Sequence, residues 1–225
     1  MKIKKALAVF LLTIACIACE KDGTSTNVTP EFSLSAIDTT GYANFRAGLT
    51  YELDKPLQYF VHNNFAIMVG YIDASTPSIT EKLFTDHPEV KNLIMLDVPG
   101  SADDEANLST AKMVYERKMN TIVPRLGMIA SGGTDFFLAG HYRCIDTFNT
   151  RIGVHSWSDG QGAEATNFPK GHEFHLPYIN YYVAIGIEQQ LAEDFYYYTI
   201  DAASADNIHW MTSEELLLYK FENKE

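Results

Sequence analysis

The feature that most constrains this chain is a repeated pairing of a strand-length apolar run with a helical pattern. Phe65–Ile72 reads FAIMVGYI, and the segment Pro77–Asp86 after it places its apolar residues on one helical face. Asn92–Val98 is a second apolar run, and Asp103–Asn120 follows it with apolar residues at helical spacing. Strands that alternate with helices predict parallel βαβ units with right-handed crossovers. The sequence therefore predicts an α/β fold with a mainly parallel sheet.

The same alternation continues towards the end of the chain. A third strand ends at a Ser-Gly-Gly turn, a fourth strand follows, and the last helix opens with a capping-box pattern. These predicted elements are the strand Leu126–Ala130, the short helix Thr134–Ala139, the strand Arg151–His155, the long helix Leu176–Tyr198 and the final helix Thr212–Tyr219. No internal repeat is visible, so we expect a single folded domain.

Length and composition exclude several classes of protein. The chain has 225 residues, enough for one domain with appendages, and its 46% hydrophobic and 12% aromatic content excludes a disordered or fibrous chain. Its net charge is −12, from 17 Lys and Arg against 29 Asp and Glu, so nucleic acid is not an expected partner. Three cysteines do not provide a disulfide framework.

The N-terminus has the pattern of an export signal. Three lysines precede an apolar run that ends at Cys19, and the charged stretch Glu20–Asp22 starts directly after it. This run is too short for a transmembrane helix and is typical of a signal peptide. The residues before Cys19 resemble a bacterial lipobox, in which the cysteine is lipidated; Cys16 is a competing match, and we favour Cys19 because the charged segment follows it.

The expected organisation has three parts. Residues 1–18 are a lipoprotein signal peptide, 19–44 a flexible tether rich in Ser, Thr, Asn and Gly, and 45–225 the folded domain. The sequence thus predicts attachment to a membrane through an N-terminal lipid. We expect a location in the bacterial cell envelope, at the outer membrane.

Candidate site residues follow the predicted strands, because parallel sheets bind ligands at the carboxyl ends of their strands. Ser131 lies at a strand-to-helix turn beside two glycines, which allow a substrate carbonyl to approach the backbone. His155 ends another strand, and a histidine within reach of a serine hydroxyl acts as its base. The turn Pro99–Ser101 presents backbone N–H groups.

These turns resemble segments of the Clp-peptidase/crotonase superfamily, in particular its Clp-type serine peptidases and their exported relatives. LIMLDVPGS (Leu93–Ser101) resembles the strand and turn that form part of the family's oxyanion hole, and SGGTDFFLAG (Ser131–Gly140) its nucleophile segment. NTRIGVH (Asn149–His155) resembles the segment with the catalytic histidine, and the Gly- and Gln-rich loop Gly160–Thr166 the stretch after it. The resemblance extends over Phe65–Phe221 and implies a fold of stacked ββα units.

The resemblance also implies roles for individual residues. Ser131 would be the nucleophile and His155 the base, and Gly100, Ser101 and Gly132 would form the oxyanion hole. The acid of the triad precedes Trp210–Glu215 in the family pattern. Asp206 is preferred over Asn207 and Asp201, since a carboxylate stabilises an imidazolium.

Two departures from the family pattern concern the oxyanion turn. Ser101 stands where the family has a second glycine, and serine would be strained there if the position required a positive φ. Asp103, Asp104 and Glu105 follow closely, and their charge would oppose a developing oxyanion unless they point to solvent.

The resemblance thus implies an ATP-independent serine hydrolase that acts on peptides or proteins, forms a homo-oligomer and needs no cofactor. An alternative is a catalytically inactive member that binds peptides or proteins in the same cleft. Crotonase-type acyl-CoA chemistry is disfavoured because export separates the protein from CoA substrates.

Other residues of the sequence are weaker candidates for a functional site. His141, His172 and His175 are conceivable zinc ligands, but they lack the HExxH pattern and we expect the two in the loop before the long helix to be solvated. No metal site is predicted. Trp157 is expected either to flank the cleft or to pack in the core, and Cys144 to be a core thiol.

Overall fold

A computed structural model describes residues 39–52, 54–146 and 149–223, which all belong to one compact unit. The N-terminal signal, Cys16 and Cys19 lie outside the described residues. Among the residues described, no helix has the length and apolar character needed to cross a membrane.

The sheet follows the apolar runs of the sequence. β2 (Phe65–Val69) is buried at every position, and β3 (Asn92–Val98) at all but Asp97. Side chains of β3 alternate between two apolar clusters: Leu93 and Met95 belong to the larger one and Ile94 to the smaller. Both faces are therefore covered, which is why these strands read as continuous apolar runs. The remaining strands are β1 (Gln58–His62), β4 (Asn120–Val123), β5 (Met128–Ala130), β6 (Arg143–Ile145), β7 (Arg151–Val154) and β8 (His209–Trp210).

Strand order confirms the predicted α/β fold with a mainly parallel sheet. The main path runs β1-β2-β3-β5-β7-β8, and only the outer pairs β1–β2 and β7–β8 are antiparallel. β3 pairs with β4 through residues 92–94 and with β5 through residues 97–98, so the sheet forks along this strand. β4 continues the other branch to β6.

Helices connect the parallel strands. Asp103 caps the helix after β3 by accepting from the backbone N–H of Ala106 at 2.9 Å, and Thr212 and Glu215 form the predicted capping box of the last helix. The helices are α1 (Thr39–Ala47), α2 (Thr76–Asp86), α3 (Asp104–Glu116), α4 (Gly132–Phe137), α5 (Leu176–Ala184), α6 (Gln189–Ala202) and α7 (Ser213–Leu218).

The predicted long helix Leu176–Tyr198 is wrong. The structure has two helices there, α5 and α6, separated at Gly186, whose φ of +90° favours glycine. Glu188 then caps α6 by accepting from the backbone N–H groups of Gln190 and Leu191, both at 3.1 Å. The helix is therefore interrupted at a point where the pattern of aromatic residues predicted that it would continue.

Helix α1 lies across the predicted boundary between tether and domain at residues 44 and 45. Tyr42 meets Phe65 edge to face, with ring centroids 6.1 Å apart, and Phe45 stacks on His62 at 4.9 Å. Arg46 donates to the carbonyl of Arg125 at 2.8 Å. Tyr42, within the predicted tether, therefore already contacts the sheet.

Candidate active site

Three neighbouring strands bring the candidate site residues together. β3, β5 and β7 lie side by side and parallel, and they end at Val98, Ala130 and Val154. The turns that follow carry the oxyanion segment, Ser131 and His155. Because carboxyl ends of parallel strands share one edge of the sheet, these segments meet there.

Ser131 occupies a strained turn between β5 and α4. Its backbone φ is +51° and ψ is −129°, a region that non-glycine residues rarely adopt. The backbone N–H of Ser131 donates to the carbonyl of Gly153 at 3.0 Å, and the Ser131 carbonyl accepts from Thr134 at 2.8 Å. Such strain persists only where the surroundings impose it, and a serine on a sharp strand-to-helix turn presents its hydroxyl at the sheet edge.

The oxyanion turn packs directly against this serine. A Cβ placed on Gly100 would lie 3.2 Å from the Cβ of Ser131, and one on Gly132 would lie 2.6 Å from the Cβ of Ser101. The position of Gly132 therefore needs glycine for reasons of space, whereas at Gly100 the contact is only tight and the φ of +154° favours glycine. The backbone N–H groups of Ser101 and Gly132 donate to no acceptor within the described residues, so both are available to a ligand oxygen.

The strain that the sequence predicted for a serine at position 101 is absent, since Ser101 is not among the residues with positive φ. Its hydroxyl donates to Oδ1 of Asp104 at 2.6 Å. The second oxygen of Asp104 accepts from the hydroxyl of Tyr178 at 2.5 Å. The nearby acid is thus engaged by two hydroxyl donors.

His155 lies at the end of β7 and lines the same cavity as Ser131. Its Nδ1 is 2.8 Å from the backbone carbonyl of Ser156. A carbonyl only accepts, so Nδ1 carries the hydrogen and Nε2 keeps its lone pair, which is the tautomer that a general base needs. No hydrogen bond joins Ser131 to His155 among the described residues.

No hydrogen bond joins the predicted acid, Asp206, to His155 among the described residues. Asp206 is exposed in the loop before β8, and it does not line the cavity of Ser131 and His155. Neither alternative does: Asn207 bonds Ser204 at 2.8 Å, and Asp201 lies on α6 at another surface depression. β8 pairs with β7 at Gly153 and Val154, and the loop that contains Asp206 enters the sheet at this pairing.

The cavity of Ser131 and His155 has a volume of about 40 Å³, and its lining includes Asp104, which the sequence places near the predicted oxyanion turn, and Asp135, which the sequence interpretation did not place there. Asp135, one helical turn after Ser131, accepts from the hydroxyl of Tyr182. Burial raises the pKa of Asp135 to about 7; the neighbouring charge of Asp104 adds to this, and the Tyr182 hydroxyl opposes it. The spacing of Tyr178 and Tyr182, four apart on one face of α5, was the available sequence signal for these contacts.

Aromatic residues form another part of the wall. Trp157 lines the cavity, and its indole N–H donates to the hydroxyl of Tyr196 at 2.9 Å. That hydroxyl is 2.7 Å from Nδ1 of His175, which is fully buried. The expectation that His175 is a solvated loop residue is therefore wrong. Among the described residues, no group of three or more His, Cys, Asp or Glu side chains is arranged to hold a metal ion.

Comparison with known proteins identifies similar solved structures only. No family model matches the chain, and neither does any curated protein. A structure of the 1510-N membrane-bound stomatin-specific protease with a substrate peptide is 21% identical, covers 73% of this chain and 75% of that one, and has a TM-score of 0.45. An enoyl-CoA hydratase from Polaromonas sp. JS666 is 10% identical, covers 76% and 70%, and has a TM-score of 0.43. The matches thus include a protease and an enoyl-CoA hydratase.

Proposed function

We propose that this protein is a serine hydrolase that cleaves peptide bonds without ATP, with Ser131 as nucleophile and His155 as general base. The observation that carries the proposal is the strained turn of Ser131, at φ +51°, in one cavity with a histidine whose Nδ1 is held by a backbone carbonyl. The unused N–H groups of Ser101 and Gly132 support it, because acyl transfer needs donors for the oxyanion.

The proposed reaction has two halves. In the first, Nε2 of His155 takes the proton of the Ser131 hydroxyl while Oγ bonds to the substrate carbonyl carbon, and the oxygen of that carbonyl becomes an anion near the N–H groups of Ser101 and Gly132. The carbon–nitrogen bond then breaks, and the amine leaves with the proton from His155. In the second half water attacks the acyl carbon and gives a proton to Nε2 of His155; the bond from that carbon to Oγ of Ser131 then breaks, the acid leaves, and His155 returns the proton to Oγ.

The carbonyl of Ser156 takes the orienting role that the sequence interpretation gave to Asp206. It accepts from Nδ1 at 2.8 Å and so selects the tautomer. A carbonyl dipole stabilises an imidazolium less than a carboxylate does, so we expect slower acylation than in an enzyme with a complete triad.

The cellular setting is part of the same proposal. Lipidation of Cys19 would anchor the chain at the bacterial outer membrane, with a peptide or protein substrate and no nucleic-acid partner. A homo-oligomer is proposed on the sequence resemblance. A cofactor has no part in the proposed reaction.

Two observations favour the alternative, a catalytically inactive protein that binds peptides or proteins. No hydrogen bond joins Ser131 to His155 within the described chain, and Asp206 lies outside the cavity. In free enzymes such contacts often tighten only when substrate binds, so we favour the hydrolase.

The test is labelling of the purified full-length chain with a fluorophosphonate, compared with Ser131→Ala and His155→Ala. We expect stoichiometric labelling of the parent chain and none of either variant. Folded parent protein that stays unlabelled would exclude an activated Ser131 and leave the binding function.

A further inference from the structure

We propose that Asp104 is a positioning residue for the reaction, which holds the oxyanion turn in place through the hydroxyl of Ser101. This role rests on the proposed hydrolase function. Asp104 lines the cavity of Ser131 and His155, and its proposed effect passes through Ser101, whose backbone N–H is one of the two proposed oxyanion donors.

The first support is the pair of hydrogen bonds to the Asp104 carboxylate. Oδ1 accepts from the Ser101 hydroxyl at 2.6 Å, and Oδ2 accepts from the Tyr178 hydroxyl at 2.5 Å. Ser101 lies in the turn after β3, Asp104 begins α3, and Tyr178 lies on α5. The carboxylate therefore connects the oxyanion turn to two helices, and hydrogen bonds to a charged acceptor are stronger than those between neutral groups.

The second support is the contact between the turn and the nucleophile segment. A Cβ on Gly132 would lie 2.3 Å from Oγ of Ser101 and 2.8 Å from Nδ2 of Asn107, so the Ser101 side chain lies directly over the Cα of Gly132. The amide of Asn107 in turn donates to the carbonyl of Gly132 at 2.9 Å. A displaced Ser101 side chain would therefore change the spacing of the two oxyanion donors.

The third support is that Tyr178 keeps the carboxylate in this position. Tyr178 stacks on Tyr196, with ring centroids 5.5 Å apart, and its side chain lines the cavity of Ser131. Its pKa is raised, by burial first and then by the charge of Asp104, so its hydroxyl stays protonated and remains a donor at neutral pH. The orientation of Asp104 is thus set from outside the turn.

The experiment is a double-mutant cycle of Ser101→Ala and Asp104→Ala in the full-length chain, measured by the kinetics of fluorophosphonate labelling. Removing an oxyanion donor altogether costs roughly 100- to 1,000-fold, so we expect displacement of one to lower the maximal labelling rate by roughly 10-fold in each single variant. The concentration for half-maximal rate should change little, because binding of the probe before reaction does not use the oxyanion donors. The double variant should be no slower than the slower single variant, because both changes break one contact.

Glu105→Ala is the matched control, since it removes an exposed acid from the same helical turn without a contact to Ser101. It should label at the parental rate, and thermal melting should show that every variant is folded. Tyr178→Phe tests the same contact from the other side of the carboxylate. It removes one of the two hydrogen bonds to Asp104 and should slow labelling less than Asp104→Ala does.

Each outcome decides the proposal. Parental labelling of Asp104→Ala, or a double variant about 100-fold slower as independent effects would give, would overturn the positioning role while leaving the hydrolase function intact. A parent chain that is folded but unlabelled would overturn both.

Discussion

The buried acid next to Ser131, Asp135, makes folding stability depend on pH in an unusual direction. Asp135 lies one turn after Ser131, and burial raises the pKa of its carboxyl from 3.8 to about 7. The ionised form is therefore disfavoured in the folded state relative to the unfolded chain. We expect Asp135→Asn to remove this pH dependence, because asparagine keeps an oxygen acceptor for the Tyr182 hydroxyl and carries no charge.

The magnitude follows from proton linkage. Between pH 3.8 and about 7 the folded state holds a proton that the unfolded state has lost, so stability falls as the pH rises. The slope for one proton is about 1.4 kcal/mol per pH unit, which gives a total loss of up to about 4 kcal/mol by pH 7. Above about pH 8 both states are ionised and this contribution becomes constant.

The assay is urea unfolding of the parent chain and Asp135→Asn from pH 5 to pH 8. The stability of the variant relative to the parent should grow by about 2 kcal/mol between pH 5 and pH 7 and level off near pH 8. Taking the difference cancels the other acids, which both proteins share. Parallel stability curves across this range would refute the argument and show that the carboxyl ionises as it does in solvent.

Two further predictions concern the same region. Gly132→Ala should lower both the thermal midpoint and the fluorophosphonate labelling rate, because its Cβ would lie 2.3 Å from Oγ of Ser101; a variant that melts and reacts like the parent would contradict this packing. Tyr182→Phe should raise the pKa of Asp135 above its parental value, because the lost hydroxyl is the donor that stabilises the carboxylate, and carboxyl-carbon NMR titration would measure it. An unchanged titration midpoint would exclude that hydrogen bond.

The elements that could be predicted are those whose local pattern is strong. β3 matches the predicted range Asn92–Val98 at both ends, because a strand buried on both faces leaves a continuous apolar run. The predicted helix at Pro77–Asp86 differs from α2 by one residue. The capping box at Thr212 could also be predicted from the sequence, because its hydrogen bonds join residues only three positions apart.

The elements that were missed have weak local patterns. β4 has four residues and exists because it pairs with strands that are distant in sequence. β8 has two residues and depends on its antiparallel pairing with β7. The break at Gly186 was missed because one glycine within a helical pattern is often tolerated.

By itself, the sequence determined the strand and helix alternation and the positions of Ser131 and His155 at the ends of strands. These properties depend on the order of apolar residues and on turn chemistry, which are local. Only the tertiary structure decided which side chains meet. It placed Asp135 and Trp157 in the cavity, left Asp206 outside it, and gave His155 a backbone carbonyl as partner. Such contacts join residues far apart in the chain, and they depend on strand order and helix packing, which no local pattern specifies.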